Sequence, residues 1–144
     1  MPHPPDHFDA LDRFVQAQRE DYALALAEVR SGYKQSHWMW YIFPQIQGLG
    51  VSAMAQTYAI ADAEEATAYL QHPILGPRLI EITEAVLALE DGSAYDIFGT
   101  PDDRKLHSCC TLFAHISPPG SVFERVIAQY FNGEPDPNTL ARLA

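Results

Sequence analysis

Apolar residues recur at helical spacing along nearly the whole chain. One stripe runs in steps of three and four residues over 11–29 and predicts a long amphipathic helix, with Asp9 as its N-cap and Gly32 at its end. A second seam, over 75–89, has alternating steps of four and three and predicts a buried helix. No segment alternates apolar and polar residues as a strand does, so the pattern predicts an all-α fold.

Residues that favour helix starts and breaks divide the rest of the chain. Helix starts are predicted at Ser52, Asp62, Thr100, Ser121 and Asp136. Proline is expected to kink the chain at Pro44 and to occupy the first turn of a helix at Pro73. We therefore expect a single compact domain of about five to eight helices, several of them short, over residues 9–144. Residues 1–8 are expected to form a frayed N-terminal tail.

Composition and charge argue against a nucleic-acid or membrane partner. The chain has 144 residues, of which 47% are apolar and 19% charged, and its net charge is −10. A protein that binds the phosphate backbone would carry a basic stripe, so a nucleic-acid polymer is not expected as a partner. No segment approaches the roughly 18 consecutive apolar residues of a membrane helix, and the N-terminus lacks the pattern of a secretory signal. We expect a cytoplasmic protein.

The cysteines and histidines indicate neither a disulfide framework nor a metal site. The only two cysteines, Cys109 and Cys110, are adjacent, and neighbouring residues on a helix point about 100° apart, so a disulfide between them would be strained. At least one is expected to be an inert, buried thiol. The six histidines lack zinc-like spacing, and the glycine-rich phosphate and dinucleotide motifs are absent. We expect no metal and no cofactor.

The segment KQSHWMWYIFPQIQGLG, residues 34–50, combines many aromatic residues with an absence of acids. No Asp or Glu lies between Glu28 and Asp62, where the average density of the chain would place about four. A segment cleared of carboxylates, with Lys34 at its start, is suited to form a pocket for an anion. If Ser36 caps a short helix there, Lys34 lies beside the exposed N–H groups of its first turn, which favours a phosphate or carboxylate.

The aromatic residues of this segment do not lie on one helical stripe. Trp38, Tyr41 and Gln45 lie near one face, whereas Trp40 and Phe43 point elsewhere. A helix that is apolar all round is normally buried all round, so one interpretation is a central core helix. The other is that one side lines a cleft, because indole N–H and phenol O–H groups suit an apolar pocket with a few polar contacts. The spacing leaves both interpretations open.

Three motifs resemble a known bacterial family. The first is the segment 34–45 followed by Gly48-Leu-Gly50, the second covers 69–79, and the third covers 98–108 together with 111–113. They are similar to the family catalogued as domain of unknown function 1810, whose members are sometimes labelled calpastatin-like. The likeness covers nearly the whole chain. It implies a small helical protein and brings no established reaction.

The resemblance also selects the polar residues that recur in these motifs. They are Lys34, Ser36, His37, Gln45, His72, Arg78, Asp102, Lys105 and Ser108. In one interpretation they converge, so that Lys34, Arg78 and Lys105 offer positive charge to an anion. His37 and Asp102 are then the catalytic acid–base candidates. In the other interpretation, Asp102 and Lys105 form only a local ion pair on one helix face, Arg78 pairs with Glu81 or Asp62, and His37 is a structural histidine.

The preferred hypothesis is a small-molecule enzyme or sensor with a cationic, tryptophan-lined pocket for a nucleotide-like or phosphorylated ligand of the ADP-ribose type. Its ligand-binding residues are expected to be Lys34, Ser36, Trp38, Trp40, Tyr41, Gln45, His72, Arg78, Lys105 and Ser108. The alternative is a protein-interaction module without catalytic activity, anchored by an exposed Trp38 or Trp40. A third interpretation makes the tryptophan segment pure core. The pattern leaves catalysis and oligomeric state undecided.

Overall fold

The computed structural model describes the chain from residue 7, and its side chains from residue 10, to residue 144. Its helices, in chain order, are α1 (His7–Ser31), α2 (Met39–Ile42), α3 (Ala53–Thr57), α4 (Ala63–Gln71), α5 (Leu75–Ala88), α6 (Ala94–Phe98), α7 (Asp102–His115), α8 (Val122–Tyr130) and α9 (Pro137–Leu143). Most of the predicted frayed tail, residues 1–6, lies outside the described residues. Asp9 was expected as an N-cap, but α1 begins two residues before it.

The predicted all-α fold is confirmed. Residues 7–144 form nine helices and no strand, and the β-type contact among them is one parallel bridge between Ile46 and Ile60. The count is above the expected range because the sequence pattern does not reveal the short helix α6, which starts at a capping box made by Ser93 and Asp96. Over the same residues, no helix is long and apolar enough to cross a bilayer.

Four of the predicted helix starts are capped as expected. In each, the side-chain oxygen accepts a hydrogen bond from the backbone N–H three residues further along. These caps are Ser52, Asp62, Ser121 and Asp136. The prediction is wrong at Thr100, because α7 begins only at Asp102 and the preceding Pro101 makes no side-chain capping bond.

The core lies where α1, α4, α5, α7 and α8 pack together. Phe14 of α1 packs on Tyr69 of α4 with ring centroids 5.2 Å apart, and Tyr69 packs on Phe113 of α7 at 5.4 Å. The seam predicted for α5 is buried at Leu75, Leu79, Ile82 and Val86. The loop after α1 meets the end of α6, where the backbone N–H of Lys34 donates to the carbonyl of Ile97 at 2.8 Å. This contact places Lys34 beside the start of α7.

Candidate functional site

Glu28, near the end of α1, organises the segment that follows it. Its carboxylate accepts hydrogen bonds from the backbone N–H groups of Gln35 and Ser36, both at 2.9 Å. It also accepts from the hydroxyl of Ser36 at 2.5 Å and from the indole N–H of Trp38 at 2.9 Å. Ser36 therefore binds Glu28 and does not cap α2, whose N-cap position is Trp38 with no side-chain capping bond.

The hydrogen bonds to Glu28 shift its pKa strongly. Burial acts first, and it raises the pKa of this carboxyl because the charged form loses water. The hydrogen bonds from Ser36, Gln35 and Trp38 outweigh burial and lower the pKa from 4.5 to about 2. Glu28 is therefore a buried carboxylate that is charged at neutral pH. It holds in place the turn that carries Lys34 and His37.

The two tryptophans of this segment have different surroundings. Trp38 is 1% exposed and packs in the core beside Phe43, at a centroid distance of 6.3 Å. Trp40 is only half-buried and lines a cavity. The segment is thus neither core alone nor pocket wall alone, because Trp38 is buried in the core and Trp40 lines a cavity.

The cavity beside Trp40 has a volume of about 360 Å³. It is lined by Lys34, His37, Met39, Trp40, Thr100, Pro101, Asp102 and Lys105. The carboxylate of Asp102 forms ion pairs with the ammonium groups of Lys34 and Lys105. The N–O distances are 2.9 Å to Lys34 and 3.6 Å to Lys105. Two segments that are distant in the chain, the loop after α1 and the start of α7, therefore meet around one carboxylate.

Lys34 and Lys105 are the only lysines in the sequence, and both lie in this cavity. Their side chains are largely buried, at 6% and 19% exposure. Each ammonium also lies over an indole ring, Lys34 over Trp38 at 4.8 Å and Lys105 over Trp40 at 5.0 Å from the centroid. Among the residues that line the cavity, two ammonium groups face one carboxylate, which leaves a net positive charge on its walls in a chain whose net charge is −10.

Arg78, expected as the third cation of the site, lies elsewhere. Its guanidinium packs over the ring of Tyr22 at 5.1 Å and donates to the side-chain oxygen of Gln18 at 3.5 Å, between α1 and α5. Glu81, a neighbouring acid expected to pair with Arg78, accepts a hydrogen bond from the hydroxyl of Tyr22. Arg78 does not line the cavity with Lys34, so the predicted set of three converging cations is reduced to two.

His72 and Tyr41 have structural partners outside the cavity. The ring Nδ1 of His72 accepts from the backbone N–H groups of Ile74 at 3.1 Å and Leu75 at 3.3 Å, so it holds the turn between α4 and α5. Pro73, expected inside the first turn of α5, precedes that helix. Burial lowers the pKa of His72, which favours the neutral ring whose Nδ1 can accept these hydrogen bonds. The hydroxyl of Tyr41 donates to Asp21, and burial together with this bond raises the pKa of Tyr41.

Gln45 and Ser108 line a neighbouring cavity and not the one around Asp102. This second cavity has a volume of about 420 Å³ and shares Pro101 and Lys105 with the first. Of the residues expected at the site, the structure thus brings five together in one cavity. They are Lys34, His37, Trp40, Asp102 and Lys105.

Sequence reasoning missed Glu28, which it used only as the boundary of an acid-free segment. A signal for its role was present in the sequence. Glu28 precedes the end of α1 by three residues, and an acid in the last turn opposes the negative end of the helix dipole. A carboxylate in this unfavourable position needs donors from another segment, and Ser36 and Trp38 supply them.

The two cysteines do not contribute to the cavity. Cys109 and Cys110 are free and fully buried within α7. Burial raises the pKa of both thiols, whereas a nucleophilic cysteine requires a lowered pKa. In the part of the chain that the structure describes, no group of three or more His, Cys, Asp or Glu side chains has an arrangement that holds a metal ion.

Comparisons with known proteins agree with the motifs found in the sequence. A family model described as "Protein of unknown function (DUF1810)" matches residues 8–143, which confirms the resemblance. The fold is similar to the crystal structure of the conserved hypothetical protein Rv1873 from Mycobacterium tuberculosis, with a TM-score of 0.92 and 48% sequence identity. The match covers 96% of this chain and 98% of that chain. No curated protein matches the chain.

Proposed function

The chain belongs to the DUF1810 family of proteins of unknown function, and we propose from the geometry of its site that it binds a small, phosphorylated, nucleotide-like molecule. The binding site is the cavity around Asp102, which we name the lysine cavity. Its volume of about 360 Å³ falls within the usual range for small-molecule sites.

One observation carries this proposal: the only two lysines of the chain meet at one carboxylate inside a cavity. An ammonium group has three N–H donors, and Asp102 does not use all those of Lys105. An oxyanion in the cavity therefore finds donors that are already oriented. The low exposure of both lysines strengthens this attraction, because charges away from bulk water are screened less.

The remaining walls suit the other parts of a nucleotide. Trp40 offers apolar indole surface, on which a base can pack. His37 lines the same cavity and is exposed to solvent, so its ring is accessible to a bound molecule. Because Asp102 is occupied by two lysines, its role in this proposal is to orient them. Any proton transfer to or from the ligand would fall to His37.

The alternative function, an interaction module anchored by tryptophan, receives less support. Such a module needs an indole on a flat, exposed surface. Trp38 is buried and donates its N–H to Glu28, while Trp40 lies in a concave site. Neither indole is available as an exposed anchor, so we prefer the small-molecule site.

We expect ADP to raise the melting temperature of the protein. A ligand at about 100 times its Kd stabilises the folded state by roughly 2.7 kcal/mol, which corresponds to about 5–10 °C for a chain of this size. The Lys105→Met variant should lose about half of this rise or more, because one charged hydrogen bond contributes about 1.5–3 kcal/mol, or roughly 10- to 100-fold in affinity. Differential scanning fluorimetry with ADP, ribose 5-phosphate and sulfate measures the effect.

The matched control is Arg125→Met, which removes the same charge at an exposed position of α8, away from the lysine cavity. This variant should keep the full response to ADP. If both variants lost the rise in melting temperature equally, the binding of ADP would depend only on the overall charge of the protein. No rise in melting temperature with any of the three compounds would contradict the proposed function.

A further inference from the structure

The second cavity, of about 420 Å³, adjoins the lysine cavity. Pro101 and Lys105 line both, so the side chain of Lys105 forms part of the boundary between them. A group bound to the ammonium of Lys105 can therefore extend into either cavity. The two volumes form two compartments with a cation at their junction.

The two compartments differ in chemistry. The lysine cavity presents the indole of Trp40. The second cavity has an apolar wall at Leu49 and also presents amide and hydroxyl groups from Gln45, Asn138 and Ser108, beside the carboxylate of Asp136. Amides and hydroxyls both donate and accept hydrogen bonds, which suits a group rich in hydroxyls, such as a sugar. Arg104 adds a second cation beside Lys105 on this side, which suits a diphosphate at the junction.

The walls of the second cavity are held by contacts that exist without a ligand. The hydroxyl of Ser108 donates to the carboxylate of Asp136 at 3.3 Å, and that carboxylate also accepts from the backbone N–H of Thr139 at 3.0 Å. The guanidinium of Arg142 donates to the carbonyl of Gly48 at 3.3 Å, which joins the loop before α3 to α9. Walls that are already in place reduce the entropy lost on binding.

We infer that the ligand is a nucleoside diphosphate sugar that spans both cavities. The base packs against Trp40, the diphosphate lies at Lys105 with Lys34 and Arg104 on either side, and the sugar occupies the second cavity. This inference rests on the proposed function and adds the sugar, because a nucleotide alone leaves the second cavity unused. The indole of Trp40, the ammonium of Lys105 and the amides of the second cavity occur in the order in which such a molecule carries its base, diphosphate and sugar.

Isothermal titration calorimetry on the full-length protein tests the inference with two matched pairs of ligands, ADP with ADP-ribose and UDP with UDP-glucose. In at least one pair, the sugar-bearing compound should bind about tenfold more tightly than its nucleoside diphosphate. Asn138 is an exposed residue that lines the second cavity. The Asn138→Leu variant should therefore abolish the difference in affinity between the two ligands of a pair and leave the affinity for the nucleoside diphosphate unchanged. Gln71→Leu, an exposed change at the end of α4, is the matched control and should preserve the difference.

The outcomes separate the inference from the proposed function. Suppose that ADP and UDP bind as tightly as their sugar-bearing forms and that Asn138→Leu changes none of these affinities. The second cavity is then not part of the site, so the inference is overturned while the proposed function stands. If no compound binds, or if binding is unaffected by Lys105→Met, the proposed function fails as well. A preference for the sugar-bearing form that Gln71→Leu removes as fully as Asn138→Leu would also overturn the inference.

Discussion

Glu28→Gln is expected to lower the free energy of unfolding at pH 7 by on the order of 2–3 kcal/mol. The substitution keeps the shape of the side chain but removes the charge that Ser36, Gln35 and Trp38 surround with hydrogen bonds. A hydrogen bond to a charged group contributes more than one to a neutral group, and here several weaken together. Denaturant titration at 25 °C measures the loss as a lower midpoint, with the slope unchanged if only stability is affected.

The loss of stability caused by Glu28→Gln should depend on pH. Because folding lowers the pKa of Glu28 from 4.5 to about 2, the charged carboxylate stabilises the folded state above pH 4.5. This stabilisation should be lost as the pH falls from about 4.5 to about 2, where wild-type Glu28 takes up a proton and comes to resemble glutamine. The difference in stability between wild type and Glu28→Gln should therefore be largest near neutral pH and shrink in acid.

A suitable control is Glu20→Gln, at an exposed position on the same helix. We expect a change within about 0.5 kcal/mol, as for most surface substitutions. If Glu28→Gln were equally mild, or if its effect did not decrease in acid, the carboxylate would not hold the turn as its hydrogen bonds indicate.

Gly76→Ala is expected to destabilise the protein by about 3 kcal/mol or more, although alanine is the better helix former. In an open helix the substitution should stabilise by up to about 1 kcal/mol. At Gly76, in the first turn of α5, an added Cβ would lie 2.1 Å from the carbonyl oxygen of Leu70 and 2.9 Å from its carbonyl carbon. Both are backbone atoms of α4, so no side-chain rotation relieves the overlap, and the two helices must separate.

The sign of the change decides this prediction. A higher midpoint of denaturation in Gly76→Ala would mean that helix propensity prevails and that α4 and α5 are packed less closely than the structure shows. Glu84→Ala, at an exposed position of α5, provides the comparison, with an expected change within about 0.5 kcal/mol. Circular dichroism of both variants in the absence of denaturant checks that the helical fold is retained.

The caps show how far local sequence reasoning reaches and where it stops. Asp62 and Asp136 are recognised from the sequence because a cap depends on residues only three positions away. Thr100 has the same local signal and does not cap, since α7 starts two residues later at Asp102. There the carboxylate of Asp102 is held by Lys34 from a distant segment, an interaction that the spacing of residues cannot reveal.

The candidate site shows the same limit in a different form. Residue type and resemblance selected Lys34, Asp102 and Lys105 together with Arg78, because all are polar residues of recurring motifs. Their convergence depends on how the helices pack. Arg78 lies on the face of α5 that meets α1, so it contacts Tyr22 and stays outside the lysine cavity.

By itself, the sequence determined that this protein is all-α, where four of its helix caps lie, and the set of residues from which the candidate site is drawn. Helix formation, capping and an amphipathic stripe all depend on residues within a few positions of one another. Such short-range preferences can therefore be predicted from the sequence. Only the tertiary structure decided that Trp38 is core while Trp40 lines a cavity, that Glu28 holds the turn between them, and that the two lysines share Asp102. Those outcomes depend on burial and on contacts between distant segments, and both arise only when the helices pack around a common core.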